Sequence, residues 1–208
     1  MANFQKYFYD HVLKYEVGYV ADDNGHGQQK WGVVAKWWLP RAGLDLNNDG
    51  QINADDIQYL TKAQAAAYTK KYYWDYFKAD QIKNQSVAEF IVDFGFVFGV
   101  GKAAKICRKI LGKSPRTDGF TSQDVREINT KNETKLFNTL KTARQSEAES
   151  QTKNQKFWKG WSKRFNNIQF IPNTAGKIAI GTVVALGLGL DYLVRRDRSV
   201  VSKFIDEL

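Results

Sequence analysis

Phe4, Phe8 and Val12 recur at four-residue spacing, with Tyr7, His11 and Tyr15 on the adjoining row. That spacing predicts an aromatic-rich helix. Gly18 supplies the backbone that commonly ends a helix, which leaves Glu16 in the last turn. Downstream, alanines and aromatics fall at helical spacing from Lys62 to Phe77. Ser86 to Leu111 is a long apolar stretch interrupted by Gly95, Gly99 and Gly101, and Thr121 to Ser150 is polar with Val125, Ile128, Leu136, Leu140 and Ala143 on one stripe. Alternating strand patterns are scarce, apart from a short hairpin around Tyr19 to Val34. Pro40, Pro115 and Pro172 each sit where a boundary is expected. The pattern predicts a mainly α protein.

Composition narrows this. Hydrophobic residues at 43% and aromatics at 14% of 208 residues exclude a disordered chain. The single Cys107 excludes an internal disulfide and reads as a small core residue. Two histidines, His11 and His26, make no zinc site without cysteine partners. The net charge of +9 favours an acidic partner such as a cell-wall polymer, a membrane surface or a nucleic acid. No helix-turn-helix, zinc-finger or RNA-binding signature accompanies the charge, so a nucleic-acid partner is not expected. The N-terminus lacks the apolar core and cleavage site of a signal peptide.

Glu16 carries the candidate chemistry. A carboxylate at a helix C-terminus faces the negative end of the macrodipole, and Tyr15 and Tyr19 would partly exclude water around it. Both effects disfavour ionisation, as a general acid working near neutral pH requires. The competing reading is an ordinary solvated residue in the last turn.

Phe4 to Tyr19 resembles the opening of the glycoside hydrolase family 108 N-acetylmuramidases, whose entry motif is Glu-Gly-Gly-Tyr; here it reads Glu16-Val17-Gly18-Tyr19. The resemblance implies a lysozyme-like α fold and a catalytic acid at Glu16. Asp22 and Gly32-Val33 fit the next family block, and Gln28 or Gln29 stands near the place of its threonine. Asp22 is then the candidate second carboxylate, and Gln28 or Gln29 would position water. The second half resembles the peptidoglycan-binding domain that follows the family's catalytic segment. The matching residues are Tyr73-Trp74-Asp75, Phe90 through Asp93 to Ala103, Asp118-Gly119, and Gly160-Trp161 through Arg164. Val97 stands where that domain commonly has asparagine. These resemblances divide the chain into a catalytic segment over 1–70, a helical binding-like segment over 71–168 and a tail over 174–208, with one integrated domain favoured over two beads. Tyr19, Tyr73, Trp74 and Asp93 become the candidate substrate-binding residues. Sugar C–H faces stack on aromatic planes, so Trp31, Trp37, Trp38 and Trp74 could wall a sugar groove, although most tryptophans, Trp161 included, are expected in the core.

Asp45, Asn47 and Asp49 place oxygen side chains at positions 1, 3 and 5 of a calcium-type loop, with Gly50 at 6 and Asp56 at 12. Gln51 would add its backbone carbonyl. Calcium needs such spacing because six or more hard oxygens must converge on one ion; the alternative is an Asx-rich turn capping the next helix, Asp55 to Thr61. The ion would be structural, and no organic cofactor is expected.

Ile178 to Val194 is mostly apolar, with Gly181, Ala185 and Gly189 at four-residue spacing. A membrane anchor leads over an intersubunit helix and a buried hairpin helix, so the fold expected is a lysozyme-like α domain with an appended apolar tail helix. The resemblance implies a peptidoglycan hydrolase cleaving the β-1,4 bond between N-acetylmuramic acid and N-acetylglucosamine. Lacking a signal peptide, it would be delivered to the wall by a phage particle, a holin or a secretion apparatus. Val17, the missing threonine and Val97 motivate an alternative, an inactive wall-binding or structural module of a phage particle or injection machine.

Overall fold

The first helix, α1, forms where its spacing predicts but is not uniform. It is α-helical over Phe4–Lys6, π-helical over Tyr7–Val12 and α-helical again over Leu13–Tyr15. The side chain of Asn3 accepts the Lys6 N–H at its start. The wider π turn lets Tyr7, Phe8, His11 and Val12 all face inward, so both rows of the sequence pattern are buried. The computed structural model describes residues 1–16, 18–23, 25–151 and 157–173.

After α1 the chain turns through Gly18 into an antiparallel meander of β1 (Tyr19–Val20), β2 (Gln29–Lys30) and β3 (Val33–Val34). Tyr19 lies opposite Lys30, and Lys30 opposite Val33. The expected hairpin is therefore three-stranded. The β2–β3 turn needs φ of 48° at Trp31 and 79° at Gly32, the two positive values of a tight hairpin turn.

α2 (Ala35–Ala42) contains Pro40, which is not the boundary its position suggested. The helix ends instead at Gly43, which takes a left-handed φ of 63°. The loop beyond leads into a 3-10 turn over Ala54–Tyr59, in place of the expected exit helix, and Asn53 and Asp56 form its capping box. α3 (Lys62–Thr69) opens on a second capping box, Thr61 with Gln64, and runs on as a π turn over Lys70–Trp74. A boundary at 70/71 would cut this continuous helical run; Met1–Pro172 instead form one unit.

α4 (Gln85–Phe98) is the centre of that unit. Residues from Phe90 to Gly95 are all buried, as expected of a helix surrounded by protein. Gly99, at φ 94°, separates it from α5 (Val100–Ile110). The polar stretch expected as one run is two helices, α6 (Ser122–Thr130) and α7 (Glu133–Ser150), because Asn132 caps a fresh N-terminus by accepting the Lys135 N–H. α8 (Trp158–Asn166) closes the unit. Aromatic rings join the elements: Phe90 meets Phe137 of α7 at 5.0 Å, and Trp74 meets Phe4 and Tyr7 of α1, each at 5.6 Å between centroids.

The apolar 178–194 segment lies outside the described residues. Among the described residues no helix is long and apolar enough to cross a membrane.

Gly95 marks where α4 tolerates no side chain. A Cβ there would sit 2.6 Å from Cε2 of Phe77, itself fully buried. Gly95→Ala should lower stability by about 1–3 kcal/mol, the cost of overpacking a filled core. It should appear as a reduced urea midpoint at unchanged slope.

Candidate active site

Glu16 follows the last residue of α1 with φ −99° and ψ 77°, outside helical geometry. Its side chain, 16% exposed, lines a cleft of about 410 Å³. The β2–β3 turn closes tightly on it. A Cβ on Gly32 would lie 2.5 Å from Cζ of Phe96 and 3.0 Å from Cγ of Glu16. Bare backbone at residue 32 is thus what leaves room for the glutamate beside Phe96.

The sequence predicted a lone carboxyl sheltered by two tyrosines. The structure gives it a cation instead: Arg164 of α8 donates from Nη1 to Oε1 of Glu16. The Nε of Arg164 donates to Oδ1 of Asp93 at 2.9 Å. Asp93 Oδ2 accepts from Nη2 of Arg144 at 2.7 Å, and Nε2 of His11 lies 3.1 Å from Oδ1. The Tyr7 hydroxyl stands 3.5 Å from the same oxygen. Burial alone would raise the Asp93 pKa, but the Arg164 and Arg144 guanidinium groups hold it well below the usual carboxylate range. Burial works against the charge on Arg164 too, yet the Asp93 and Glu16 carboxylates raise its pKa above the ordinary guanidinium value. Rings complete the setting. Arg164 Cζ is 4.7 Å from the Phe96 centroid and 5.4 Å from that of Tyr15, and Arg144 Cζ lies within 6 Å of Phe90, Phe94, Phe98 and Phe165.

Of the predicted substrate residues, Tyr73 lines the cleft with Glu16. Burial above all, with the neighbouring Tyr68 phenol and Glu16 carboxyl adding, pushes its pKa above the ordinary phenol value, so its hydroxyl stays protonated. Trp74 and Asp93 are corrections. Both are inaccessible to solvent: Trp74 packs in the core and donates from Nε1 to the exposed Asp80 at 2.7 Å, and Asp93 sits beneath the cleft among its cations. Tyr19 is largely exposed and is not among the lining residues; its hydroxyl donates to Oε1 of Gln28 at 3.0 Å.

Asp22 and Gln28, expected beside Glu16, are also placed elsewhere. The Asp22 carboxylate accepts the Gly25 and Gly27 N–H groups at 3.0 and 3.1 Å and so shapes its own loop. The neighbouring Asp23 lines the cleft. Gln28 bonds Tyr19 and Asp55, whereas Gln29 lines the cleft and accepts the Gly32 N–H at 3.1 Å. Successive side chains of an extended segment point to opposite faces, so only one of the pair can face Glu16. His26, Trp37 and Trp161 also line the cleft, Trp161 against expectation. Arg164 was marked only as the end of the Gly160-Trp161-x-x-Arg motif, and nothing local paired it with Glu16.

The calcium-type loop closes on its own amides. Asp45 accepts the Asp49 and Gly50 N–H groups at 3.2 and 2.8 Å, and Asn47 Nδ2 donates to Asp49 at 2.8 Å. Asp49 Oδ1 in turn accepts the Gln51 N–H at 2.8 Å. Asp56 is fully buried and accepts from the Leu46, Asn47 and Asn53 N–H groups at 2.6, 3.0 and 2.8 Å. These amides, that of Asn53 foremost, lower its pKa. Among the described residues no three His, Cys, Asp or Glu side chains gather to hold a metal.

A carboxyl in a cleft walled by aromatics suits glycosidic bond cleavage, and comparison with known proteins agrees. Residues 9–99 match the family model of glycosyl hydrolase 108. That family's segment includes Glu16, Asp23, Tyr73 and Phe96, while Arg164 and Trp161 lie beyond it. Among solved structures, the chain is similar to Brucella abortus SagA, with 21% identity over 79% of this chain and 90% of that one and a TM-score of 0.68. At that identity the likeness concerns the fold. No curated protein matches the chain. The fold is of the mainly α, lysozyme-like kind, and the match over residues 9–99 supports glycoside hydrolase chemistry.

Gly32 tests this geometry. Gly32→Ala combines an unfavourable φ with displacement of Phe96 or Glu16. A carboxyl moved by about 1 Å costs on the order of a hundredfold in rate. Peptidoglycan-clearing activity should fall by roughly that factor, with helical content unchanged by circular dichroism.

Proposed function

We propose that the protein is an N-acetylmuramidase that hydrolyses the β-1,4 bond between N-acetylmuramic acid and N-acetylglucosamine, with Glu16 as general acid. The observation that carries this reading is that Glu16, inside the family-matched segment, lines the aromatic-walled cleft. A sugar seated there presents its glycosidic oxygen to the carboxyl, which protonates the leaving oxygen as positive charge develops on the ring. Asp23 replaces Asp22 as the second carboxylate, on hand to orient water or to stabilise that positive charge. Gln29, which lines the cleft where Gln28 does not, is the candidate to position water in the role of the family's threonine. Trp37, 47% exposed at the cleft, and the Tyr73 hydroxyl provide an apolar plane and a hydrogen-bond donor for the saccharide. Delivery to the wall by a phage particle, a holin or a secretion apparatus belongs to the same reading.

Val97 and Gln29 both line the cleft, and this favours the second reading, an inactive wall-binding module. The two part company over products: hydrolysis releases soluble muropeptides, and a binding module only co-sediments with the wall. Glu16→Gln keeps the shape and removes the acid. It should lower muropeptide release by about a hundredfold or more. Undiminished release from the purified variant would exclude Glu16 as the acid.

We also propose a structural calcium ion in the Asp45–Asp56 loop. The support is the hard-oxygen spacing together with the close approach of Asp45, Asn47 and Asp49 around the Asp49 amide. The ion would draw Asp56 off its three amides. Calcium at a hundredfold excess over its dissociation constant should raise the melting temperature by about 5–10 °C relative to EDTA. Equal melting temperatures in the two solutions would leave the loop as an amide-closed turn.

A further inference from the structure

We propose that Arg164 is the positioning residue for Glu16, so that the active site is completed by a helix outside the family-matched segment. This rests on the reading of Glu16 as the general acid. Glu16 stands where α1 has ended, and a glutamate at such a point has three side-chain torsions to fix. The Arg164 guanidinium fixes them from α8, and is itself held from several directions. Its Nε is tied to Asp93 at 2.9 Å, and Asp93 is tied in turn to Arg144 at 2.7 Å. The plane of Arg164 lies against Phe96 and Tyr15. Asp93, Arg144 and Arg164 are all buried, so solvent does not loosen the chain of contacts.

The arrangement uses what is particular to arginine. A guanidinium offers donors in a rigid fork, so Nε can serve Asp93 while Nη1 serves Glu16. A lysine ammonium is a single point charge on a flexible stem and cannot hold both carboxylates in one geometry. The same fork has an electrostatic consequence. When the Glu16 O–H bond breaks and its proton passes to the leaving glycosidic oxygen, the carboxylate left behind already has a donor in place, with no reorganisation required. The contribution is therefore made to the chemical step and not to saccharide binding. Family-matched residues 9–99 contain the acid and Asp93 but not the arginine that joins them.

The test is a double-mutant cycle in the full chain, with glycan strands of purified peptidoglycan as substrate. Arg164→Met should lower kcat by about a hundredfold, the order expected for a misplaced acid, with KM changed less than threefold. Arg164→Lys should recover only part of that loss. Combined with Glu16→Gln, Arg164→Met should produce no further loss beyond that of Glu16→Gln alone, since the arginine acts through the glutamate. Losses that multiply, or a change confined to KM, would overturn the proposal. Should Arg164→Met fail to fold, the Arg164→Lys arm carries the same cycle with charge retained. A fully active Glu16→Gln would refute the reading of the acid itself, whereas an inactive Glu16→Gln beside an Arg164→Met of undiminished kcat would refute this inference alone.

Discussion

The carboxylate of Asp93 lies at the middle of the central helix with no access to water, and the rest of the molecule is arranged around keeping it there. A buried charge is tolerated when it is paired and its lone pairs are occupied. Here the partners come from three other elements: Arg144 from α7, Arg164 from α8, and His11 with Tyr7 from α1. Each of those elements must dock for the charge to be compensated. Assembly of the helices and construction of the cleft are thus one event, because the arginine that neutralises Asp93 also reaches Glu16.

Aromatic residues serve two purposes in this setting. Around Arg144 four phenylalanine rings enclose a guanidinium whose Nε and Nη1 have no hydrogen-bond partner among the described residues, so ring faces take the place of acceptors. Above Arg164, Tyr73, Phe96 and Trp161 become the wall of the cleft. The core and the cleft are therefore layers of one aromatic assembly. The π-helical segment of α1 belongs to the same logic, since it turns His11 and Tyr7 toward Asp93 as well as Phe8 and Val12 toward the core.

The loops follow a different constraint. Short irregular segments leave backbone N–H groups without ladder partners, and nearby acids are recruited to satisfy them. Asp22 does this in the β1–β2 connection, and Asp45 and Asp56 do it after α2. An acid recruited in this way is a poor catalyst or substrate contact, however well its spacing resembles one. Asp23, one position along, is the residue that the same turn presents to the cleft.

The helices were legible in the sequence because their information is local: apolar spacing in Phe4 to Val12, and a long apolar stretch from Ser86 to Leu111 interrupted by glycines. Glu16 was legible for the same reason, as part of a short motif at a helix end. Its partner was not. Arg164 closes the Gly160-Trp161-x-x-Arg motif, but a local motif does not record which carboxylate, so far away in the chain, it will meet. The choices between Asp22 and Asp23 and between Gln28 and Gln29 were equally closed to sequence, because neighbouring positions differ in which way they face. That direction depends on how strands pair and helices dock. Local periodicity determined the elements, and a short motif marked Glu16; tertiary packing alone decided which side chains share its cleft, since a contact between distant segments exists only once both are buried against the same core.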